Sequence, residues 1–247
     1  MTPWVDCSAL VVCHNEASSL RACLASLSFC REILVVDKGS TDDSAAVARA
    51  AGARVVTAPP DPPFVEPTRA EWIGHLHCEW VLFADPDEIF PAPLVTDLQR
   101  AIAAHPNLAV AGLPMRYFFR GRPLHVSYWG REVIHLPRLV HRGRVTLLPR
   151  IHRGVEVKPG FASVRIPATS ENRIEHRWAD SFAEVRAKHR RHLACEALER
   201  PRSLRAGLRG FWRSYITHRG WRGGVDGLGL SLLYAHYLYH IGGDMRR

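Results

Sequence analysis

Short, nearly unbroken apolar runs alternate with stretches of helical spacing through the first half of the chain. The first run, Ser8-Ala9-Leu10-Val11-Val12-Cys13, ends in His14-Asn15-Glu16. Leu20, Cys23, Leu24 and Leu27 then recur at i, i+3, i+4 and i+7, which lines up one buried face of a helix. The second run, Ile33-Leu34-Val35-Val36, ends in Asp37-Lys38-Gly39-Ser40-Thr41-Asp42. Its glycine permits a tight turn, and Thr41 or Asp42 is placed to cap a helix through about Ala51. Arg54 to Thr57 predicts a third short strand. The proline-rich stretch from Ala58 to Pro67 can continue no regular element and predicts a loop. Thr68 to Cys78 predicts a helix leading into the strand Trp80-Val81-Leu82-Phe83-Ala84, which stops at Asp85-Pro86-Asp87-Glu88. Continuous apolar strands separated by helices predict an α/β fold, its parallel sheet covered on both faces and its ligands bound off the strands' carboxyl ends.

The polar groups collect at those ends, and the carboxylates after Ala84 carry the most chemistry. Mg²⁺ and Mn²⁺ prefer oxygen ligands and keep positions open for phosphate oxygens, so Asp85 and Asp87 could anchor a nucleoside diphosphate through a metal. Acids after a strand are also ordinary turn formers, so the motif needs its context.

Three segments in order and spacing supply that context: Val11-Val12-Cys13-His14-Asn15-Glu16, Val35-Val36-Asp37-Lys38-Gly39-Ser40-Thr41-Asp42 and Phe83-Ala84-Asp85-Pro86-Asp87-Glu88. Together they resemble the nucleotide-sugar glycosyltransferases of family 2, and the chain as a whole is most similar to the bacterial lipopolysaccharide-core type. Trp129-Gly130, Arg138-Leu139, Ile151-His152-Arg153 and a lone His176 ahead of a helix from about Ser181 to Glu199 continue the likeness. The resemblance implies a Rossmann-like GT-A fold with a mostly parallel central sheet flanked by helices, plus a C-terminal helical appendage. It implies a catalytic domain over 1–200, with a nucleotide-sugar half to 90 and an acceptor half beyond, and an extension over 201–247. The donor would lie across His14, Asn15, Glu16, Asp37, Gly39, Ser40, Arg69 and Asp85. Mg²⁺ or Mn²⁺ would sit on Asp85 and Asp87, with Glu88 orienting them. Trp129, His152 and His176 would line an acceptor site.

Departures from the family pattern limit how far the resemblance reaches. Lys38 stands where members reading uridine often carry a second acid, and it cannot accept from a pyrimidine N–H. Arg69-Ala70 replaces the usual Lys-Asn, keeping a charge able to bind a diphosphate in bidentate fashion. Arg153 replaces the glutamate of a Val-His-Glu-like triplet. Inverting transfer still needs a carboxylate to take the acceptor's proton and a positive centre for the leaving group. Glu132 and Glu156 are the candidates for the base, Glu132 preferred; both also fit solvated surface acids.

The 14 histidines show no H-E-x-x-H or paired C-x-x-C spacing, which argues against zinc. At 247 residues and 47% hydrophobic, the chain can bury one large core. Six cysteines at irregular spacing, with no apolar leader in Met1 to Asp6, point to reduced thiols in the cytoplasm. The net charge of +9 falls late, with Arg200, Arg202, Arg205, Arg209, Arg213, Arg219 and Arg222 interleaved with aliphatic and aromatic residues. A helix of that kind is drawn to anionic lipid, giving a peripheral position on the inner face of the plasma membrane as one expectation. Leu228 to Ile241 is too short for the roughly 20 residues of a spanning helix; it either packs on the domain or dips into the interface. Two rival functions compete with sugar transfer. A nucleic-acid-binding module would explain the charge but lacks a reader motif. A metal-dependent nucleotidyltransferase would need a Gly-rich phosphate loop where His14-Asn15-Glu16-Ala17 stands. No Q-x-x-R-W signature occurs, so transfer of a single sugar from a nucleoside-diphosphate sugar to a glycan or glycolipid acceptor is preferred, with no nucleic acid as partner.

Overall fold

A computed structural model describes residues 5–61, 64–130, 133–149, 154–196 and 201–242, without the side chains of 195 and 196. Along the chain the elements run β1 (Val5–Cys13), α1 (Ala17–Ser26), β2 (Cys30–Asp37), α2 (Ser44–Ala50), β3 (Arg54–Thr57), α3 (Glu66–Trp72), β4 (Trp80–Ala84), β5 (Glu88–Ile89) and α4 (Ala92–Ala104). There follow β6 (Leu108–Phe119), β7 (Arg122–Pro123), β8 (Ile134–His141), β9 (Val145–Leu147), β10 (Val155–Val157), β11 (Ala162–Arg165), β12 (Ile174–Ala179), α5 (Phe182–Glu196), α6 (Leu204–Trp212) and α7 (Gly224–Ile241). Two compact units result: Met1–Met115 with His135–His176, and Arg116–Ile134 with Arg177–Arg247.

The strands β3, β2, β1 and β4 lie side by side and all parallel, as the alternation of apolar runs and helices predicts. Beyond β4 the pairing changes sense: β8 runs antiparallel to β4, and β12 antiparallel to β5. From Ala9 to Cys13 the β1 residues alternate between two cores, following the two-residue period of a strand. Cys7, Ala9, Val11 and Cys13 pack with Leu20, Cys23, Leu24 and Leu27 of the first helical segment and with Leu94, Val95 and Leu98 of α4. Leu10 and Val12 face the other way, onto Leu34, Val36, Val81 and Phe83, with Trp72 and Leu76 covering them. The sheet around β1 is therefore buried on both faces, and the polar segments 14–16, 37–40 and 85–88 follow its strand ends.

Several element ends differ from expectation. The helix before β4 starts at Glu66 rather than Thr68, because Pro67 falls in its first turn, where no intrahelical N–H is needed. It tightens into a 3₁₀ turn at Ile73–His75 and stops at Leu76, whose backbone is extended. The N-cap of α2 is Asp43, while Asp42 accepts hydrogen bonds from the Ser44 N–H at 3.0 Å and hydroxyl at 2.5 Å. In the second unit the basic C-terminal stretch is broken: a π-turn at Arg213–Thr217 and a 3₁₀ turn at Gly220–Gly223 separate α6 from α7. Close approach requires glycine there, since a Cβ on Gly227 would lie 1.9 Å from the Gly220 carbonyl oxygen. That unit's own core is aromatic, with Tyr128 stacked on Tyr234 at 4.0 Å and Trp129 tilted against Trp178 at 4.6 Å.

Candidate active site

The register puts the candidate residues of the first unit at one edge of the sheet. Cys13 pairs with Asp37 and Val11 with Ala84, so the β1, β2 and β4 ends open in the same direction. The first two are stitched together. Asn15 takes a left-handed backbone (φ 57°), which asparagine tolerates better than most residues. Its side-chain oxygen accepts hydrogen bonds from the Thr41 N–H at 2.7 Å and the Asp42 N–H at 3.3 Å. Its own N–H donates to Ser40 Oγ at 2.9 Å. The Glu16 N–H donates to Ser44 Oγ, His14 Nδ1 lies 2.9 Å from the Lys38 carbonyl, and Asp37 Oδ1 accepts from the Ser40 N–H and hydroxyl. Gly39, at φ 72°, supplies the turn. The Cys13 thiol nearby is raised to about 12 by burial and then by Asp37, Glu16 and Asp42, so it stays protonated and is no nucleophile.

At the end of β4, Asp85-Pro86-Asp87-Glu88 closes a turn in which the Glu88 N–H donates to the Asp85 carbonyl and the Asp85 N–H donates to Glu88 Oε2. Proline in the second position presets this turn. Each Asp85 oxygen is taken by a guanidinium, Oδ1 by Arg69 at 2.6 Å and Oδ2 by Arg138 at 2.5 Å. Arg138 also bonds Glu88, which is wholly buried. In the β4–β8 ladder Val81 lies opposite Val140 and Leu82 opposite Leu139, and Arg138 follows directly after that last pair; Arg69 lies over the Phe83 ring at 5.0 Å. Arg69 Nε and Arg138 Nε are buried without a partner among the described residues. Burial raises the Asp85 pKa, but Arg138 and Arg69 outweigh it and hold the carboxyl at about 2. For Glu88, burial outweighs Arg138, and Asp85 adds to the rise, leaving it at about 6.

Asp87 points elsewhere. Its Oδ2 lies 3.3 Å from His176 Nε2, because β12 pairs with β5 in a register that sets His176 opposite Glu88. Both side chains are largely buried. A carboxylate and an imidazole are two metal-ligand groups in contact. No group of three or more His, Cys, Asp or Glu able to hold a metal occurs among the described residues.

The site residues expected from the sequence therefore fall into three groups. His14, Asn15, Glu16, Asp37, Gly39 and Ser40 are knit into one loop pair, Arg69 joins Asp85, and Asp87 joins His176. Glu156 is exposed on β10, paired with β9. Trp129 is buried in the aromatic core of the second unit, 5.4 Å from the Tyr234 ring and 5.6 Å from the His189 ring. Glu132 and His152 lie outside the described residues. Arg138 is the residue given no site role from the sequence; its signal was the Arg-Leu pair, with nothing to tie it to acids 50 positions earlier.

A model of the family described as glycosyl transferase family 2 matches residues 8–153, more than half of the chain. The lipopolysaccharide core biosynthesis glycosyltransferase LpsC of Rhizobium meliloti (strain 1021) is 47% identical over 47 residues, 19% of this chain and 17% of that protein. An uncharacterized glycosyltransferase of Rickettsia felis is 28% identical over 109 residues, 40% of this chain and 34% of that one. The chain thus spans well under two thirds of the length of either relative. Glucosyl-3-phosphoglycerate synthase from Mycobacterium tuberculosis, solved with Mn²⁺, UDP and glucosyl-3-phosphoglycerate, shows 26% identity at a TM-score of 0.38, covering 47% of this chain and 44% of that one. The family match rests on the segment that carries all three strand-end motifs, and the chain belongs to glycosyl transferase family 2.

Proposed function

We propose that the chain is an inverting, non-processive transferase that moves one sugar from a nucleoside-diphosphate sugar to a glycan or glycolipid acceptor in bacterial cell-envelope biosynthesis. The observation that carries this reading is the pairing of Asp85 with two guanidinium groups beside the Asp87–His176 contact, just past the carboxyl end of β4 in the parallel part of the sheet. The loop pair from His14 to Glu16 and Asp37 to Ser40 forms the nucleoside end of the site. Arg69 and Arg138, each with an unspent Nε–H, supply donors for anionic oxygens of the diphosphate.

Asp87 and His176 fit a divalent cation, with Asp85 alongside already neutralised by its arginines. A nitrogen donor suits Mn²⁺ better than the harder Mg²⁺. Such an ion, when bound, would offset the charge that develops on the leaving diphosphate. Two protein ligands leave room for phosphate oxygens and water. Glu88, buried between Arg138 and the Asp85 N–H, holds the turn that carries Asp85 and Asp87. The acceptor hydroxyl's proton goes to Glu132 or Glu156. A lipid-linked acceptor requires the chain to work at the inner face of the plasma membrane.

Calorimetric titration of a panel of nucleoside diphosphates with and without Mn²⁺ tests the donor site. One nucleotide should bind in a Mn²⁺-dependent manner, and Asp87→Ala or His176→Ala should weaken it by about tenfold or more while leaving the circular dichroism unchanged. Equal affinity in chelator and in both variants would overturn the metal assignment.

A further inference from the structure

We propose that the outward faces of α6 and α7 form a docking surface for an anionic phospholipid bilayer, which deepens the membrane part of the proposed function and rests on it. The inward face of α6 is made of small residues: Ala206, Gly207 and Gly210 are buried. A Cβ on Gly207 would lie 3.1 Å from that of Tyr239, and one on Gly210 would lie 2.8 Å from the Leu238 side chain. That packing leaves the opposite side of the helix without a partner among the described residues. Leu204, Leu208 and Trp212, at i, i+4 and i+8, stand there 69%, 64% and 63% exposed.

The same division holds on α7. Gly227, Leu230, Tyr234, Tyr237 and Leu238 face the aromatic core, while Val225, Leu228 and Leu232 line the exposed side, Val225 at 79%. Trp221, in the turn before α7, is also exposed. Between α5 and α7 a groove of about 690 Å³ continues this surface, with Phe182, Leu232 and Leu233 among its walls and Arg186 and Arg190 on one side. Exposed aliphatic and tryptophan side chains in such number mark an interaction surface rather than ordinary scatter.

Charge identifies the occupant. The second unit holds 18 Lys and Arg against 7 Asp and Glu, a net of +11, while the first holds 15 against 17, a net of −2. The segment from 200 to 225 contains seven arginines and no acid. Arg205 and Arg209 lie exposed next to the Leu204–Leu208–Trp212 stripe. Apolar side chains with arginines beside them match the interface of an anionic bilayer, where acyl chains lie under phosphates. A second copy of the chain would set two strongly positive faces together. Nucleic acid would satisfy the arginines but leave the aliphatic stripe unused. No helix among the described residues is long and apolar enough to cross a membrane, so the surface lies on the bilayer.

Co-sedimentation of the full chain with phosphatidylcholine vesicles, with and without phosphatidylglycerol, tests the docking surface. Partitioning should be at least about tenfold stronger on the anionic vesicles at low salt and should fall as salt is raised. Leu208→Ser/Trp212→Ser should cut binding to anionic vesicles by about tenfold or more, and Arg205→Gln/Arg209→Gln should abolish the preference for them. These positions are solvent-exposed, so circular dichroism should stay unchanged, as should nucleoside diphosphate binding in solution. That second readout separates failure of this surface from failure of the donor site. Undiminished vesicle binding by the Leu208/Trp212 variant would overturn the proposal. So would a wild-type dimer that the same substitutions dissociate, with no vesicle binding.

Discussion

Arg138 shows how much one side chain can organise. Only 6% of it is exposed, and it bonds both Asp85 and a fully buried Glu88, so its charge is retained because two carboxylates surround it. Burial alone would lower its pKa; the two acids more than reverse that. A buried ion cluster of this kind is costly to assemble and costlier to break, since removing one partner leaves the others desolvated and uncompensated. Arg138→Met should therefore destabilise the chain by about 3–5 kcal/mol in urea unfolding, and Glu88→Gln added to it should recover a substantial part. A loss under about 1 kcal/mol, or no recovery, would mean that water or another cation already balances the acids. The aspartates were legible in the sequence because they end an apolar run. Arg138 was not, because its partners are set by the antiparallel β4–β8 ladder, which no local pattern encodes. Likewise, His176 meets Asp87 only through the register of β12 on β5.

At the level of elements, legibility followed periodicity. Strands β1, β2 and β4 and helix α1 emerge from the sequence because each buries a continuous run or a single helical stripe. The break between α6 and α7 was not placed correctly from the sequence: arginines and aromatics continue through it, and the Gly-rich Asp226-Gly227, which resembles a turn, lies inside α7, while left-handed Arg219 (φ 54°) and positive-φ Gly224 (φ 56°) turn the chain earlier and Gly220 packs tightly on Gly227. The polar loops after β1 and β2 were assigned to the donor site from the sequence; in the structure Asn15 is the clasp between them. Its oxygen meets the Thr41 and Asp42 N–H groups, and its backbone is left-handed. Asn15→Ala loses both features; Asn15→Gly loses only the hydrogen bonds. If the clasp matters more than the backbone conformation, both variants should lose about 1–3 kcal/mol, because amide donors are left without their acceptor. They should also weaken nucleotide binding together. Full stability of the glycine variant would assign the effect to φ alone.

Across the whole molecule, two buried groups, one in each unit, titrate in opposite senses on mild acidification. In the second unit, His189 is buried against the rings of Trp129 and Tyr237, its Nδ1 without a partner among the described residues; burial first, then His192 and His236, depress its pKa to about 4. A histidine depressed on folding contributes stability that is present above its unfolded pKa of 6.5 and lost as pH falls from there through 4. The shift corresponds to about 3 kcal/mol. In the first unit, Glu88 is raised from 4.5 to about 6, so the folded chain holds that proton more tightly and gains stability as pH falls through the same window, by about 2 kcal/mol. Between pH 6.5 and 4.5 these two contributions therefore partly cancel in the wild type, each masking the other. His189→Phe keeps a ring in the aromatic core and removes the titration. Its stability relative to wild type, followed by tryptophan fluorescence in urea, should improve by about 3 kcal/mol between pH 7 and pH 4. A difference between the two proteins that stays constant with pH would show that His189 is already solvated or protonated in the folded chain. The Glu88 contribution would then have to be read on its own, from the acid limb of the wild-type curve.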